Sequence, residues 1–435
     1  MATLDCMNDD QEFTELLRRE APMNLPRAHE LMCQLDLLGM VLGEPVNVFH
    51  ALGYWPQISR TRAGQPPTTF VLLSRDDSAP CGLVTTRFIY YYTWADARFE
   101  RRLQSWLYLD ADDDPGNQDV LDAVVIEQFA NRGAVALSRI EAQRREALAA
   151  IVPERRAMRD AGRALVSAMR ALGLWRGRIA FDHPVIQAVC VRHDHPGTLV
   201  PGDNIVRAIR LVKSPLEIRL MRRAATANAE ALTAVGRKIR AGASHHELRR
   251  QFDIECAMRG NHSVFLTVDR VSSDLSDERI RDGQCLFIDG VSQFQHYHGD
   301  YARSVFVGEP NAIVRRAADA AHLGWSAVRE RLKPGLRYSD LVRIGHEAVR
   351  KAGFDTAIGF GPHSVGLMHT DEPCDDAHGF YRKADLTLRE NMIVSVDCPV
   401  MDTGIGGSAH IEDLMLITAD GAEPIHPLGD AVVVV

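Results

Sequence analysis

No pair of cysteines spaced Cys-x-x-Cys occurs in this 435-residue chain, although eight cysteines are scattered along it. That dispersion argues against a structural zinc site and against a disulfide framework, and it suits reduced thiols in a cytoplasm. A basic surplus is missing as well. The formal net charge of -8 argues against nucleic acid or an anionic membrane as a main partner, since both call for a basic face. The most apolar stretch, around "LDLLGMVLG", is far too short to span a bilayer. The opening "MATLDCMNDDQEF" is acidic and lacks the basic and apolar regions of a signal peptide, so a cytoplasmic protein is expected. Internal repeats, low-complexity tracts and coiled-coil heptads are absent. The glycines of "IGFGP" and "TGIGG" make no phosphate-loop pattern and suit turns instead.

What is present is an ordinary globular composition, 46% hydrophobic and 25% charged, in a chain long enough for two or three domains. Strand-like runs ("TTFVLLSRD", "CGLVTTRFIYYYTW", "GRIAFDH") alternate with helical spacing, notably between Val120 and Leu172, across roughly the first 195 residues. An α/β layered domain over residues 1–200 is expected from that alternation. The turn-rich "VRHDHPGTLVPGDN" marks a boundary region, in which His193 and His195 read as solvated. In "KSPLEI", Ser214 is an N-cap, Pro215 the first helical residue and Glu217 the closing member of a capping box. "SHHEL" repeats the logic, which places His245 and His246 in a first helical turn. A second domain over 201–435 is expected to mix strands ("QCLFIDG", "DYARSVFVG", "NMIVSVDCPV", "AHIEDLMLIT") with helices at "AIVRRAADAAHLGWSAVRERL" and "YSDLVRIGHEAVRKAG".

Chemistry concentrates in this second half. Asp289 is expected to end one strand and Asp300 to begin the next, with the ten residues between them forming a hairpin loop. Aspartate is common in turns for backbone reasons alone, so this pair by itself says little. Asp397 and Glu412, however, sit inside very apolar strands, where a carboxylate is costly unless paired or bound to a metal. With His363, these acids form a donor set of hard oxygens and one imidazole that suits manganese, zinc, iron or cobalt.

The order of these residues, with the histidine in "GPHSVGL", an acid in "VSVDCP" and Glu412 in "HIED", resembles the creatinase/prolidase/methionine aminopeptidase superfamily. "RAIRLVKSPLEIRLMRRAA" is similar to that family's inter-domain segment, and "RAHELMCQLDLLGMVLGEPVNVFHALGYW" to the start of its N-terminal domain in creatinases, prolidases and aminopeptidases P. The resemblance implies an N-terminal creatinase-like α/β domain and a C-terminal pita-bread α+β catalytic domain. It implies two divalent metal ions, with Asp289 on one, Asp300 and Glu412 bridging, and His363 and Asp397 completing the other. Such a pair lowers the pKa of bound water from ~15.7 towards ~7, roughly 12 kcal/mol. The implied activity is hydrolysis of an amide or related C–N bond in a small or short-peptide substrate, Xaa-Pro dipeptidase-like, by a metal-activated hydroxide. The alternatives are a non-peptidase of the same fold, either a dimethylsulfoniopropionate-type lyase or a creatinase-like amidinohydrolase, and a metal-free or inactive binding protein. A homodimer is the implied assembly.

Three positions depart from the family pattern. Asp397 stands where glutamate is usual, and one missing C–C bond withdraws its carboxylate by ~1.5 Å. "VDRVSSDLSDERIRDGQCLFID" lacks the substrate-side histidine, and His262 lies further upstream. A second histidine is expected seven residues after His363, but Thr370 holds that place and His369 is one residue early. His369 is therefore taken as the candidate catalytic histidine. His298 and Trp55 are candidate substrate-binding residues, Trp55 matching a place where the N-terminal domain can lean into a dimer partner's site. His296 is a weaker candidate than His298, and Cys374 and Cys398 read as structural thiols.

Overall fold

The computed structural model describes residues 2–56, 66–91, 102–108, 136–151, 157–273, 275–377 and 380–435. The chain divides into two compact units, Glu12–Ile209 on the one hand and Arg210–Val435 with Met1–Gln11 on the other. No helix among the described residues is long and apolar enough to cross a membrane.

Among the described residues, the first unit is built on a seven-stranded sheet. Its strands are β1 (Gly39–Leu42), β2 (Thr69–Ser74), β3 (Cys81–Thr86), β4 (Leu103–Tyr108), β5 (Ala157–Met158), β6 (Arg178–Phe181) and β7 (Thr198–Pro201), in the order β5-β4-β3-β2-β1-β6-β7. β2 runs antiparallel to both its neighbours and the remaining pairs are parallel. Alternate residues of a strand face opposite sides. Accordingly Met40 and Leu42 enter one apolar cluster while Val41 enters another. A sheet covered on both faces explains why β1, β2 and β3 are buried at every position.

The strand expected through "CGLVTTRFIYYYTW" stops at Thr86, whose hydroxyl accepts from the Ile89 amide at 3.0 Å and caps a helical turn. Tyr92 to Trp94, and Val120 to 135 of the expected helical stretch, lie outside the described residues. Part of the turn-rich 191–204 segment is β7, which completes the sheet edge beside β6.

The second unit holds two four-stranded sheets and a hairpin. One sheet, β17-β10-β9-β8, comprises β8 (His262–Val268), β9 (Cys285–Phe294), β10 (Tyr297–Phe306) and β17 (Val432–Val434). The other, β11-β14-β15-β16, comprises β11 (Gly361–Ser364), β14 (Ile393–Asp397), β15 (Met415–Ile417) and β16 (Ala422–Pro424). The hairpin pairs β12 (Cys374–Ala377) with β13 (Phe380–Lys383).

Helix Pro215–Gly236 opens with the expected capping box, Ser214 and Glu217 each bonding the other's backbone. It lies against the β9–β10 hairpin at two glycines. A Cβ on Gly290 would meet Leu232 at 2.7 Å, and one on Gly299 would meet Asn228 at 2.7 Å. Asn228 seals this contact, donating to the Gly290 carbonyl at 2.7 Å and accepting from the Ser292 hydroxyl at 2.7 Å. The helix therefore covers the hairpin face that carries Gly290, Ser292 and Gly299, and the opposite face is left for the acids.

Candidate metal centre

The hairpin differs from the sequence expectation. The ladder runs unbroken from Tyr297↔Phe294 to Phe306↔Cys285, so the loop is the two residues Gln295 and His296 and not ten. Both have positive φ, 47° and 67°, the backbone of a type I′ turn, whose twist matches that of the flanking strands. Asp289 and Asp300 are consequently mid-strand. Asp289 faces Ala302 and Asp300 faces Val291, which makes the two aspartates diagonal neighbours on one face and not directly opposite partners.

The other donors come from the second sheet and from a connecting strand. In β11, His363 pairs with Ser395 of β14, and Gly361 pairs with Asp397. Ser395 and Asp397 share a face by the two-residue strand period. The expected strand "AHIEDLMLIT" is ordered as β15 only from Met415. Before that, the segment leaves its own sheet and Glu412 bridges to Ala302 of β10, with N···O distances of 3.2 and 3.4 Å. This bridge carries Glu412 to the acidic face of the hairpin.

Arg303 holds the crossing in place. Its guanidinium donates to the Glu412 carbonyl at 2.9 Å, to Asp413 Oδ1 at 2.6 Å and to the Leu428 carbonyl. Asp413 Oδ2 accepts in turn from the Trp325 indole at 2.8 Å.

The result is a buried cluster with two sides. On one side, His363 Nε2 lies 3.2 Å from Glu412 Oε1, 3.5 Å from Asp397 Oδ2 and 3.8 Å from Asp300 Oδ2. On the other, His410 Nε2 lies 3.3 Å from Asp397 Oδ1 and 3.5 Å from Glu412 Oε2. Asp289, His410 and Glu412 each bring a ligand atom within 4.8 Å of the others, as do Asp300, His363 and His369, and His363, Asp397 and Glu412.

His410 is absent from the sequence-derived set. Its signal was the i, i+2 spacing with Glu412 in an extended segment, which puts both side chains on one side. Ser395 was missed too. Its hydroxyl donates to Glu412 Oε1 at 2.6 Å, and serine in an apolar strand gives no warning of that.

His369 reaches the cluster from one residue early. Its Nε2 is 3.0 Å from Asp300 Oδ2, and Thr370, in the family's histidine place, contacts the His369 ring instead. The side chains of His369 and Asp397 are 37% and 36% exposed, whereas Asp300, His363, His410 and Glu412 are at most 4% exposed. Solvent therefore enters at His369 and Asp397.

His298 lies on the same face as Asp300, buried, with Nδ1 3.2 Å from the Gly366 carbonyl. A carbonyl only accepts, so Nδ1 carries the proton and Nε2 is an acceptor. Burial drives the ring's pKa down to about 4, which keeps it neutral. His262 pairs with Gln293 at the far end of β8 from Thr267, the partner of Asp289, and is exposed. His296 occupies the turn. Trp55 belongs to the first unit, its ring centroid 6.2 Å from that of Phe49. The Cys398 thiol is buried and donates to the Val396 carbonyl, away from ligand duty.

Electrostatics set the character of the cluster. Burial, with the Glu412 and Asp300 charges adding, raises Asp289 well above the usual carboxylate range. Burial and Glu412 push Asp300 up to about 6. For His363 and His410 burial works against charge, yet hydrogen bonds to Asp397 and Glu412 win and raise both well above the usual imidazole range. Glu412 is held well below the carboxylate range by those same imidazoles, although burial opposes it. Asp289 Oδ1 and Asp300 Oδ1 are buried with no hydrogen-bond partner among the described residues. Buried carboxylate oxygens left without donors, facing imidazole nitrogens, fit a divalent cation.

Residues 219–419 match metallopeptidase family M24. The chain is 26% identical over 235 residues to an Xaa-Pro dipeptidase of Pyrococcus horikoshii, an alignment that takes in 51% of this chain and 64% of that protein. The fold resembles that of the Pyrococcus horikoshii prolidase, with a TM-score of 0.62, 17% identity, and coverage of 92% of this chain and 97% of that one. It also resembles dipeptidase PepE from Mycobacterium ulcerans, with a TM-score of 0.64, 17% identity, and coverage of 98% and 99%.

Proposed function

Because residues 219–419 belong to metallopeptidase family M24, within the creatinase/prolidase/methionine aminopeptidase superfamily, we propose that the protein is a metal-dependent hydrolase of an amide or related C–N bond, prolidase-like in its chemistry. The observation that carries this reading is the two-sided cluster, in which Asp397 and Glu412 each turn one oxygen to His363 and the other to His410. Asp289, Asp300, His363, Asp397 and Glu412 would hold two divalent ions, drawn from manganese, zinc, iron and cobalt by donor type. When bound, such a pair supplies Lewis acidity and a water acidified to near-neutral pKa.

The chain's own residues do the rest. Arg303 and Ser395 fix Glu412 in place, one through its backbone and one through its carboxylate. His369, at the solvent-facing mouth with Nε2 3.0 Å from Asp300 Oδ2, is placed to hand a proton to a leaving nitrogen. His298 presents an acceptor nitrogen on the same face, suited to a substrate N–H.

Metal analysis followed by a panel of Xaa-Pro dipeptides tests the proposal. The expected result is bound divalent metal together with chelator-sensitive cleavage that an Asp300→Ala variant loses. Metal-free protein with chelator-insensitive turnover would exclude it. Failure on every dipeptide, with turnover of a sulfonium or betaine-like compound, would reassign the site to a lyase.

A further inference from the structure

The acid at 397 is one carbon shorter than the glutamate usual in this family, which leaves a gap of ~1.5 Å in donor reach. The structure shows what stands beside that gap. His410 Nε2 lies 3.3 Å from Asp397 Oδ1 and 3.5 Å from Glu412 Oε2, on the side of the cluster that Asp289 occupies.

The ring is placed there by backbone contacts at its own residue. The His410 amide donates to the Ser304 hydroxyl oxygen at 3.0 Å, and that hydroxyl donates to the His410 carbonyl at 3.1 Å, which fixes the segment against β10. Phe287 packs against the ring at 5.3 Å in a near-perpendicular contact. The side chain is 3% exposed, and its Nδ1 has no hydrogen-bond partner among the described residues. Every polar contact the imidazole makes is thus at Nε2, to the two carboxylates that face both sides of the cluster.

We propose that His410 Nε2 is itself a metal ligand on the Asp289 side, so that each of the two ions is held by one imidazole, His363 on the side that Asp397 completes and His410 on the other. This rests on the metal-binding reading of the site given above. It makes the centre richer in nitrogen than a set of four carboxylates and one histidine. Nitrogen donors favour cobalt and zinc over manganese more strongly than oxygen donors do.

The test is calorimetric titration of the chelator-treated full chain with Co2+ and, separately, Mn2+. The variants are His410→Ala and His410→Gln, each checked for folding by circular dichroism. Glutamine retains hydrogen-bonding capacity towards the carboxylates but is a poor ligand for these ions, so it separates ligation from mere bracing and carries the test if the alanine variant does not fold. The wild type is expected to take two Co2+ per chain. Both variants are expected to keep one ion near wild-type affinity and to lose ~100-fold or more at the other, with a smaller loss for Mn2+. Two ions bound by both variants at wild-type affinity would overturn the assignment of His410 while leaving the metal reading intact. Full affinity in His410→Gln alone would reduce the residue to a hydrogen-bonding brace and overturn it equally. A wild type that binds neither ion would overturn the metal reading, and this inference with it.

Discussion

Arg303 Nη2 meets Asp413 Oδ1 at 2.6 Å with side chains only 3% and 1% exposed, one residue from the carboxylate that faces both sides of the cluster. Removing one partner of such a pair strands a buried charge and costs ~3–5 kcal/mol. Arg303→Met should therefore lower unfolding free energy by about that amount, read from urea titration. An Arg303→Met/Asp413→Leu double variant should recover part of the loss, since replacing both partners by apolar groups is far less costly. A single variant as stable as the wild type would show that the pair does not hold the crossing strand.

Ser395 bears on the cluster without joining it. Its hydroxyl orients Glu412 Oε1 at 2.6 Å from a β14 position directly opposite His363. Loss of an outer-shell partner of this kind typically costs ~10–100-fold in metal affinity. Ser395→Ala should show that drop in Co2+ titration while remaining folded, and unchanged affinity would assign Glu412's orientation to the backbone alone.

His369 should separate from the buried donors. Because it is half-exposed at the mouth, His369→Gln is expected to keep its bound metal and to lose ~10²–10⁴-fold in turnover, the usual contribution of a general acid or base. Loss of a metal ion in that variant would instead make His369 a ligand.

The metal-free protein should be less stable on the alkaline side. Burial opposes the charge on His363 and His410, but their hydrogen bonds to Asp397 and Glu412 raise both pKa values. A raised histidine contributes stability that is complete below its unfolded value of ~6.5 and is lost as pH rises through the folded value. Asp289 and Asp300, raised chiefly by burial, act in the same direction, Asp300 up to about 6. The depressed Glu412 acts oppositely, but only as pH falls through its low folded value. Chelator-treated protein should thus melt lower at about pH 8 than at about pH 6. Added Co2+ should raise the melting temperature more at the higher pH, because ligation needs those imidazoles deprotonated. An equal rise at both pH values would contradict this account of the cluster.

Much of the fold was legible because local rules and tertiary packing agree. The Ser214–Glu217 capping box, the apolar run of β2 and the long helices beyond Ala312 are written in spacing that needs no partner to interpret. The acids at 397 and 412 stand out because carboxylates in apolar strands need a reason, and those at 289 and 300 gain meaning only beside them. Register was not legible. Nothing in "GVSQFQHYHG" announces that the turn is Gln295-His296, since neither residue is a usual left-handed one, and the sequence alone suggests a longer loop there. His410 and Arg303 escaped for a related reason. Their roles depend on a strand that leaves one sheet to bridge another, a long-range contact that periodicity does not carry.

The two-residue turn has a consequence for how this chain can vary. Counted from Gln295-His296, Asp289 and Asp300 fall on the donor-cluster side of the hairpin and Gly290 and Gly299 on the helix side. Inserting or deleting one residue at the turn would exchange those sides along one arm, setting a carboxylate against Asn228 and Leu232 and turning a glycine to the donors. The hairpin can accept other residue types at its tip, and Asn-Gly would relieve the strain there, but the number of residues is fixed. Loop length at this one place is part of what specifies the donor cluster, although no atom of the turn belongs to it.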